Sequence, residues 1–403
     1  MPAVPHDLCT PAVYLDHAAT TPVRAAAVAA VTAELGRVGN PSSLHASGRR
    51  ARRVVEESRE ALAAALGCRP GEVVFTSGGT EADNLALKGL WWARHDAEPA
   101  RRRVLAPAVE HHAVLDALDW LAAHEGAVVE LLPVDAEGRL ELATLEASLA
   151  RDPGSVALVT CMWANNEVGT VQPVAEVAAL AAAHGVPVHT DAVQAVATLP
   201  VDFAAVGVDT LAVTGHKVGG PVGAGALVAR RDLDLVPLVH GGGQERDVRS
   251  GTLDAAAVAG LAAAVVETVA AREQEAVRLA ALRDELVRGV QAAVPDAVLN
   301  GAGAERLAGH AHLSFPGCEG DSLLMLLDAR GLECSTGSAC SAGVPQPSHV
   351  LLAMGHDDRR ARSSLRFSLG HSSTAADVAA LVAAIGPVVE RARAAGAVAA
   401  GRG

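Results

Sequence analysis

His-Thr-Asp-Ala-Val-Gln (189–194) and Thr-Gly-His-Lys (214–217) are the two stretches of this sequence that decide its fold. Each follows a short apolar run, so that Asp191 and Lys217 stand at the ends of two neighbouring predicted strands. A lysine can hold the aldehyde of pyridoxal 5′-phosphate (PLP) as a Schiff base, and a carboxylate can keep the pyridine nitrogen of that cofactor protonated. The two stretches therefore predict a PLP site at one edge of a sheet.

Apolar runs around these stretches alternate with segments of helical spacing. The predicted strands are 72–76, 103–106, 127–132, 155–161, 186–190, 209–213 and 224–229, and the helices between them lie near 80–95, 112–124, 141–150 and 174–184. This alternation is typical of an α/β fold, and it predicts a mostly parallel seven-stranded sheet.

The length of 403 residues is too great for one ordinary core, so we expect two domains. After a long predicted helix the pattern changes to a smaller α+β arrangement, with a strand at 310–315, a helix at 321–329, a strand at 363–369 and a helix at 374–395. We predict a large PLP-binding α/β domain over residues 15–265. The small α+β domain would comprise residues 266–403 with the N-terminal segment 1–14.

Composition excludes several classes of protein. The formal net charge of −13 argues against a direct nucleic-acid partner, since affinity for phosphate backbones comes largely from Lys and Arg. The six cysteines form no Cys-x-x-Cys pair, which favours a reducing cytoplasm, and no metal site is predicted. No signal peptide is recognisable. The Ala/Val run 255–271 is interrupted by charge and shorter than a bilayer span, so no membrane association is expected.

Thr-Ser-Gly-Gly-Thr-Glu (76–81) follows one predicted strand and opens a helix. Small residues let the backbone approach an anion, and the first N–H groups of the helix then point at it. Gly79 and Thr80 are therefore predicted phosphate contacts, while an N-cap turn without a ligand is the alternative. The sequence lacks Gly-x-Gly-x-x-Gly and Gly-x4-Gly-Lys-Ser/Thr, which removes the main other phosphate-binding patterns.

Glu-His-His (110–112) and Asn-Asn-Glu (165–167) follow two further strands in the same way. Ligands of open α/β sheets bind at the carboxyl ends of the strands, so these polar groups are expected to converge with Asp191 and Lys217. His111 can stack on a cofactor ring or can be a hydrogen-bonded structural residue, and both interpretations stay open.

A series of motifs in a fixed order makes the chain resemble the NifS/IscS-like cysteine desulfurases, the class V aminotransferase group of PLP fold-type I. The motifs are Tyr-Leu-Asp-His-Ala-Ala-Thr-Thr-Pro (14–22), Gly-Asn-Pro-Ser-Ser-Leu-His (39–45), Thr-Ser-Gly-Gly-Thr-Glu (76–81), Glu-His (110–111), Asn-Asn-Glu-Val-Gly (165–169), Asp-Ala-Val-Gln (191–194), Gly-His-Lys (215–217), Gly-Gly-Gly-Gln-Glu-Arg (241–246), Arg-Ser-Gly-Thr (249–252), Gly-Ser-Ala-Cys (337–340) and Leu-Arg-Phe-Ser-Leu-Gly (365–370).

This resemblance implies a complete cofactor site. Lys217 would bind PLP covalently, Asp191 would pair with the pyridine nitrogen, Gln194 would reach the ring hydroxyl and His111 would lie over the ring. The remaining implied contacts are Gly79, Thr80, Thr214 and His216 to the phosphate, with Asn166 as a further cofactor contact. A threonine of the neighbouring subunit completes the phosphate site in this family, and Thr252 matches it, which implies a homodimer.

The resemblance also implies the substrate and the reaction. Arg366 would bind the carboxylate of L-cysteine with the help of Asn40, because the planar fork of arginine makes two parallel hydrogen bonds to a carboxylate. Cys340, in the nucleophile loop 335–347, would act with Lys217 and His111 as a catalytic residue. It would take the sulfur as a persulfide, leave L-alanine, and pass the sulfur to an acceptor or scaffold protein, and it is also a candidate transient iron–sulfur ligand.

Small residues surround Cys340, which predicts a flexible loop that can take up sulfur in one place and deliver it in another. Cys334 lies six residues earlier and can form a disulfide with Cys340 or pack at a strand end, and we favour packing. Six residues separate Cys340 from Pro347, which is the longer loop of the housekeeping iron–sulfur-assembly group.

Iron–sulfur clusters, thiolated tRNA, a thio-cofactor and phosphorothioate DNA all stay open as destinations of the sulfur. A selenocysteine lyase, another class V C–S lyase and a non-catalytic docking subunit are the alternatives.

Overall fold

The computed structural model describes residues 13–337 and 347–400. The segment 338–346, which contains Cys340, lies outside the described residues, so the structure gives no position for the predicted nucleophile.

Seven strands form the central sheet, in the spatial order β2-β8-β7-β6-β5-β3-β4. They are β2 (Val73–Thr76), β3 (Arg103–Pro107), β4 (Val128–Leu132), β5 (Val156–Thr160), β6 (Val188–Asp191), β7 (Thr210–Thr214) and β8 (Gly225–Ala229). Within this sheet β8 runs antiparallel to both neighbours, and the other adjacent pairs are parallel. The predicted α/β class and mostly parallel seven-stranded sheet are confirmed, and each strand is found within two residues of its predicted bounds.

Helices cover both faces of this sheet, because its strands are apolar on both sides. In β2, for example, Val73 and Phe75 belong to one hydrophobic core and Val74 belongs to another. The helices of this part of the chain are α1 (Ala25–Leu35), α2 (Ala46–Leu66), α3 (Gly79–Ala97), α4 (His112–Glu125), α5 (Leu142–Arg151), α6 (Val174–Ala182) and α7 (Phe203–Val206). The parallel strands thus direct their carboxyl ends to one edge of the sheet, between the two helical layers.

The C-terminal part forms a smaller α+β unit around its own core. Its elements are α8 (Ala255–Ala293), β9 (Val298–Leu299), β10 (His310–Ser314), α9 (Gly320–Asp328), β11 (Leu332–Glu333), α10 (His349–Ala353), α11 (Asp358–Arg362), β12 (Ser364–Ser368) and α12 (Ala375–Ala400). An antiparallel sheet has the order β12-β10-β9, and β11 pairs in parallel with β1 (Val13–Tyr14). The N-terminal strand therefore joins the C-terminal unit.

Helix α8 contributes to both cores. Leu261 and Val265 pack in the core of the large sheet, whereas Leu279 and Leu286 pack in the core of the smaller unit. The domain boundary that we propose, between residues 265 and 266, therefore lies inside one continuous helix.

The Ala/Val run 255–271 is shorter than a bilayer span, but the helix that contains it is longer. The run opens a helix of 39 residues, which is long and apolar enough to cross a membrane by length and composition alone. Its buried side chains, such as Leu261 and Leu286, lie in the two protein cores, which is the packing of a core helix.

Candidate active site

A cavity of about 400 Å³ lies at the carboxyl ends of β5, β6 and β7, where the large sheet meets the smaller unit. Most of the predicted site residues line it: Gly79, Thr80, His111, Asn166, Asp191, Gln194, Thr214, His216, Lys217 and Arg366. Residues from six different chain segments meet here because parallel strands end at a common edge.

The N-terminus of α3 forms one end of the cavity. Its N-cap is Gly78, which has no side chain to cap the helix, and the helix continues for 19 residues. The backbone is closely packed here: a Cβ on Gly79 would lie 2.8 Å from Cγ2 of Val193, and a Cβ on Gly225 would lie 2.7 Å from Cα of Gly78. A helix N-terminus with free N–H groups and glycine at its closest contacts fits the phosphate of PLP.

Lys217 follows β7 and also lines this cavity. Its Nζ donates hydrogen bonds to the carbonyl oxygens of Ala18, at 2.5 Å, and Ala19, at 2.7 Å. Burial and the nearby Arg366 guanidinium lower the pKa of Lys217 to about 8. An amine with a pKa in this range is available as a nucleophile and as a base near neutral pH.

Asp191 ends β6 and is buried beside the cavity. Its Oδ1 accepts a hydrogen bond from the backbone N–H of Val193 at 2.8 Å. Burial raises the pKa of Asp191, while His111 and Lys217 act in the opposite direction. A carboxylate so placed fits a protonated pyridine nitrogen, since an added positive charge stabilises the ionised form.

Two histidines of the cavity are held neutral. The Nδ1 of His111 accepts a hydrogen bond from the N–H of Ala113 at 3.1 Å, so its ring caps α4 and carries its proton on Nε2. His111 is exposed in this chain where it lines the cavity, and desolvation by the neighbouring protein lowers its pKa. Burial, followed by the charge of Lys217, lowers the pKa of His216 to about 4. His111 thus makes the hydrogen bond expected of a structural residue, and it also lines the cavity, as a residue that stacks on the cofactor ring would.

Arg366 on β12 reaches the cavity from the smaller unit. Its Nη2 donates to Oδ1 of Asp16 at 2.7 Å, and its Nη1 donates to the carbonyl of Asn166 at 2.9 Å. Its Nε is buried and has no partner among residues 13–337 and 347–400. The guanidinium is therefore fixed in orientation and retains donor capacity, as a carboxylate-binding arginine requires.

Three predicted site residues do not line the cavity. Asn40 and Thr252 are exposed on the surface of this chain, and Cys340 lies outside the described residues. Gly337 does line the cavity, and Cys340 follows it by three residues.

Cys334 packs against the core of the smaller unit. Burial and the charge of Asp16 raise the pKa of its thiol to about 12, which makes it a poor nucleophile at neutral pH. These features support the packing role that we favour for Cys334.

Several residues that surround the site were not predicted from the sequence. Ala18 and Ala19 bond Lys217, Asp16 bonds Arg366, and Asp83 lines the cavity. Asp83 could have been predicted as a site residue, because it follows Gly79 by four residues and so lies on the same face of the helix.

Comparisons with known proteins extend over nearly the whole chain. The family model described as aminotransferase class-V matches residues 13–381. A protein of Mycobacterium tuberculosis (strain ATCC 25618 / H37Rv) named "IscS-like cysteine desulfurase" is 58% identical over 389 residues, which are 96% of this chain and 99% of that protein. The solved structure "NIFS-LIKE PROTEIN" matches with a TM-score of 0.86 and 33% identity over 94% of this chain and 100% of its own. The structure "SspA in complex with cysteine" matches with a TM-score of 0.78 and 32% identity over 90% and 99%.

Proposed function

The chain belongs to the aminotransferase class-V family, and we propose that it is a PLP-dependent cysteine desulfurase that converts L-cysteine to L-alanine and carries the sulfur on Cys340. The observation that supports this most strongly is the meeting of Lys217, Asp191 and Arg366 in one cavity with Gly337 at its wall. Reactions of amino acids on PLP need a lysine that binds the cofactor, a carboxylate that pairs with its ring nitrogen and a group that binds the substrate carboxylate.

When bound, PLP supplies an electron sink that stabilises negative charge at the Cα of an amino acid. Arg366 would hold the carboxylate of L-cysteine and so orient its Cα–H bond towards Lys217. The Nζ of Lys217, with its pKa of about 8, would accept the Cα proton and later return a proton to the product. Asp191 would keep the ring nitrogen protonated throughout.

The sulfur transfer would be a nucleophilic substitution at sulfur. The thiolate of Cys340 attacks the sulfur of the substrate, an S–S bond forms and the Cβ–S bond breaks. The electron pair of the broken bond remains on the substrate carbon skeleton, which takes up a proton at Cβ and leaves as L-alanine. Cys340 then carries a persulfide, which a thiol of an acceptor or scaffold protein can attack.

A product assay tests this proposal. We expect the holoenzyme with L-cysteine and a thiol reductant to release sulfide and L-alanine in equal amounts. Release of a keto acid in place of L-alanine would contradict the desulfurase reaction and favour an aminotransferase-like reaction. L-Serine is the matched control, since it lacks the sulfur and should yield no alanine.

We also propose a homodimer in which Thr252 of one subunit completes the phosphate site of the other. Thr252 is exposed and lies outside the cavity of its own chain. The loop before Thr252 contains three residues with positive φ: Glu245 at 48°, Arg246 at 61° and Asp247 at 63°. Residues other than glycine keep this conformation where the surrounding structure holds them in it. Buried Glu245 supplies that enforcement through Arg59 at 2.6 Å and the N–H of Phe75 at 2.7 Å.

Exposed apolar side chains near the start of the chain support the same assembly. Val28, Leu35, Val38 and Leu44 are between 51% and 84% exposed. A partner subunit that covers this region would remove it from water.

Subunit mixing tests the dimer. Thr252→Asp would repel the phosphate of PLP, and Lys217→Ala would remove the covalent attachment, so each homodimer is expected to be nearly inactive. A mixed dimer contains one site with an intact Lys217 and an intact partner Thr252. Co-expression of the two variants should therefore restore activity to one of the two sites. Mixed samples that stay as inactive as the single variants would contradict the shared site.

The acceptor protein and the compartment are further proposals. We place the enzyme in the cytoplasm, with no direct nucleic-acid partner and no membrane partner, and we assign the sulfur to iron–sulfur cluster assembly or tRNA thiolation. The longer loop around Cys340 favours the assembly of iron–sulfur clusters.

A further inference from the structure

Asp83 and His189 form a buried hydrogen-bonded pair beside the predicted cofactor site. Asp83, on α3, is 1% exposed, and His189, on β6, is fully buried. Oδ1 of Asp83 lies 3.1 Å from Nε2 of His189, and Nδ1 of His189 lies 2.9 Å from Oγ1 of Thr210 on β7. Three elements of the large domain are thus joined by one chain of polar contacts.

This chain of contacts connects the two ends of the cofactor site. Asp83 follows Gly79 by four residues and lies on the same face of α3. His189 precedes Asp191 by two residues, so both side chains lie on the same face of β6. The Asp83–His189 hydrogen bond therefore links the helix that would hold the phosphate to the strand that would hold the ring nitrogen.

Three carboxyl groups, Asp83, Glu110 and Asp191, lie buried in this region, and we call them the acid cluster. In the part of the chain that the structure describes, none of them has a lysine or arginine within salt-bridge distance. The positive charge of Lys217 favours ionisation of Asp191, whereas Asp83 is influenced by Asp191 and Glu110, which both oppose its ionisation. Three negative charges in one buried cluster would be very costly, and Asp191 is the best placed to keep its charge.

His189 cannot supply a compensating charge to Asp83. Burial lowers the pKa of His189 to about 3, so the imidazole is neutral, and burial together with the other two acids raises the pKa of Asp83. A neutral imidazole with its proton on Nδ1 donates to Thr210 and accepts at Nε2. With this tautomer, the 3.1 Å contact is a hydrogen bond from the acid proton of Asp83 to Nε2 of His189.

Glu110 shows the same behaviour at the other side of the cluster. Its Oε1 accepts from the N–H of Met162 at 2.7 Å, and its carboxyl group is fully buried. Burial and the charge of Asp191 raise the pKa of Glu110 to about 8. A protonated Glu110 is the state that a buried carboxyl without a cationic partner adopts.

We infer that Asp83 is a protonated acid that donates to His189, and that this pair is a positioning device which leaves Asp191 as the single charged carboxylate facing the pyridine ring. The inference rests on the proposed function for the presence of PLP in this cavity. Neutral Asp83 and Glu110 would let Asp191 and the protonated ring nitrogen form one isolated ion pair. The hydrogen bond to His189 would hold Asp191 and the phosphate end of α3 in fixed relation.

Infrared spectroscopy of the full-length holoenzyme at neutral pH tests the charge assignment. The C=O stretch of a protonated carboxylic acid is separate from carboxylate and amide bands and shifts in D2O. We expect Asp83→Asn to remove one such band and Glu110→Gln to remove another. Asp83→Ser is a second variant without the acid, in case the asparagine disturbs folding. Survival of every acid band in both Asp83 variants would overturn the inference.

Cofactor affinity tests the positioning role. Asp83→Ala leaves the buried Nε2 of His189 without a donor and should weaken PLP binding roughly tenfold or more. Asparagine supplies a neutral N–H donor of similar shape, so Asp83→Asn should recover most of that affinity. PLP binding by Asp83→Ala as tight as that of the wild type would contradict the positioning role. Failure of the desulfurase assay would overturn the proposed function and leave these infrared and binding results unaffected.

Discussion

Lys217→Ala is expected to abolish the visible absorbance of the covalently bound cofactor and to reduce turnover of L-cysteine by more than about 10⁴-fold. The reason is that Lys217 would have two tasks, since its Nζ attaches the cofactor and then accepts the Cα proton. No other lysine lines the described cavity, so no neighbouring amine can replace it. Absorbance spectra of the dialysed variant and an alanine assay measure the two losses separately.

Asp191→Asn is the matched comparison for this variant. It keeps the side-chain shape and should retain PLP, because Lys217 and the phosphate site are unchanged. It should lose most of its activity, because a neutral amide cannot hold the ring nitrogen in its protonated state. A Lys217→Ala protein that stays yellow after dialysis against a competing amine, or an Asp191→Asn protein that works within a few-fold of wild type, would refute these assignments.

Cys340→Ser is expected to bind PLP and L-cysteine normally but to release sulfide only at background level. A serine hydroxyl has a far higher pKa than a thiol and cannot replace a thiolate in attack on sulfur. The variant should retain part of its activity on L-selenocysteine, because selenium is the better leaving group and can depart without a protein nucleophile. Full activity of Cys340→Ser on L-cysteine would remove Cys340 from the mechanism.

Cys334→Ser supplies the control for this experiment. Cys334 packs in the smaller unit and its thiol has a pKa of about 12, so its loss should not affect the attack on the substrate sulfur. A loss of sulfide release in Cys334→Ser as large as in Cys340→Ser would indicate a disulfide or relay between the two cysteines.

The sequence predicts the large sheet well because its strands are continuous apolar runs that end in polar motifs. Runs such as 210–213 leave little ambiguity, and the residues just after them, including Lys217, fall at the common edge of the sheet. Helices α1 and α2 were not predicted, although α2 has the spacing of an amphipathic helix, with buried Val55 and Leu62. The pairing of β1 with β11 joins residues more than 300 positions apart, and a two-residue strand carries no periodic signal.

Contacts that depend on tertiary packing could not be predicted from the sequence. The carbonyl oxygens of Ala18 and Ala19 accept hydrogen bonds from Lys217. Because every residue has a backbone carbonyl, the residue type does not predict this role. The sequence pattern predicts Asp83 to be an ordinary polar residue of an amphipathic helix. Its buried contact with His189 depends on the packing of α3 on β6. The exposed positions of Asn40 and Thr252 likewise follow from the three-dimensional fold, and Thr252 would gain its predicted role only in a dimer.

The most direct measurement of the central claim is the mass of the peptide that contains Cys340 after incubation of the holoenzyme with L-cysteine and alkylation. We predict one added sulfur atom on Cys340 in the wild type and in Cys334→Ser, and no added sulfur on any cysteine in Cys340→Ser. Added sulfur on Cys334 or another cysteine, together with an unmodified Cys340, would contradict the assignment of Cys340 as the persulfide carrier.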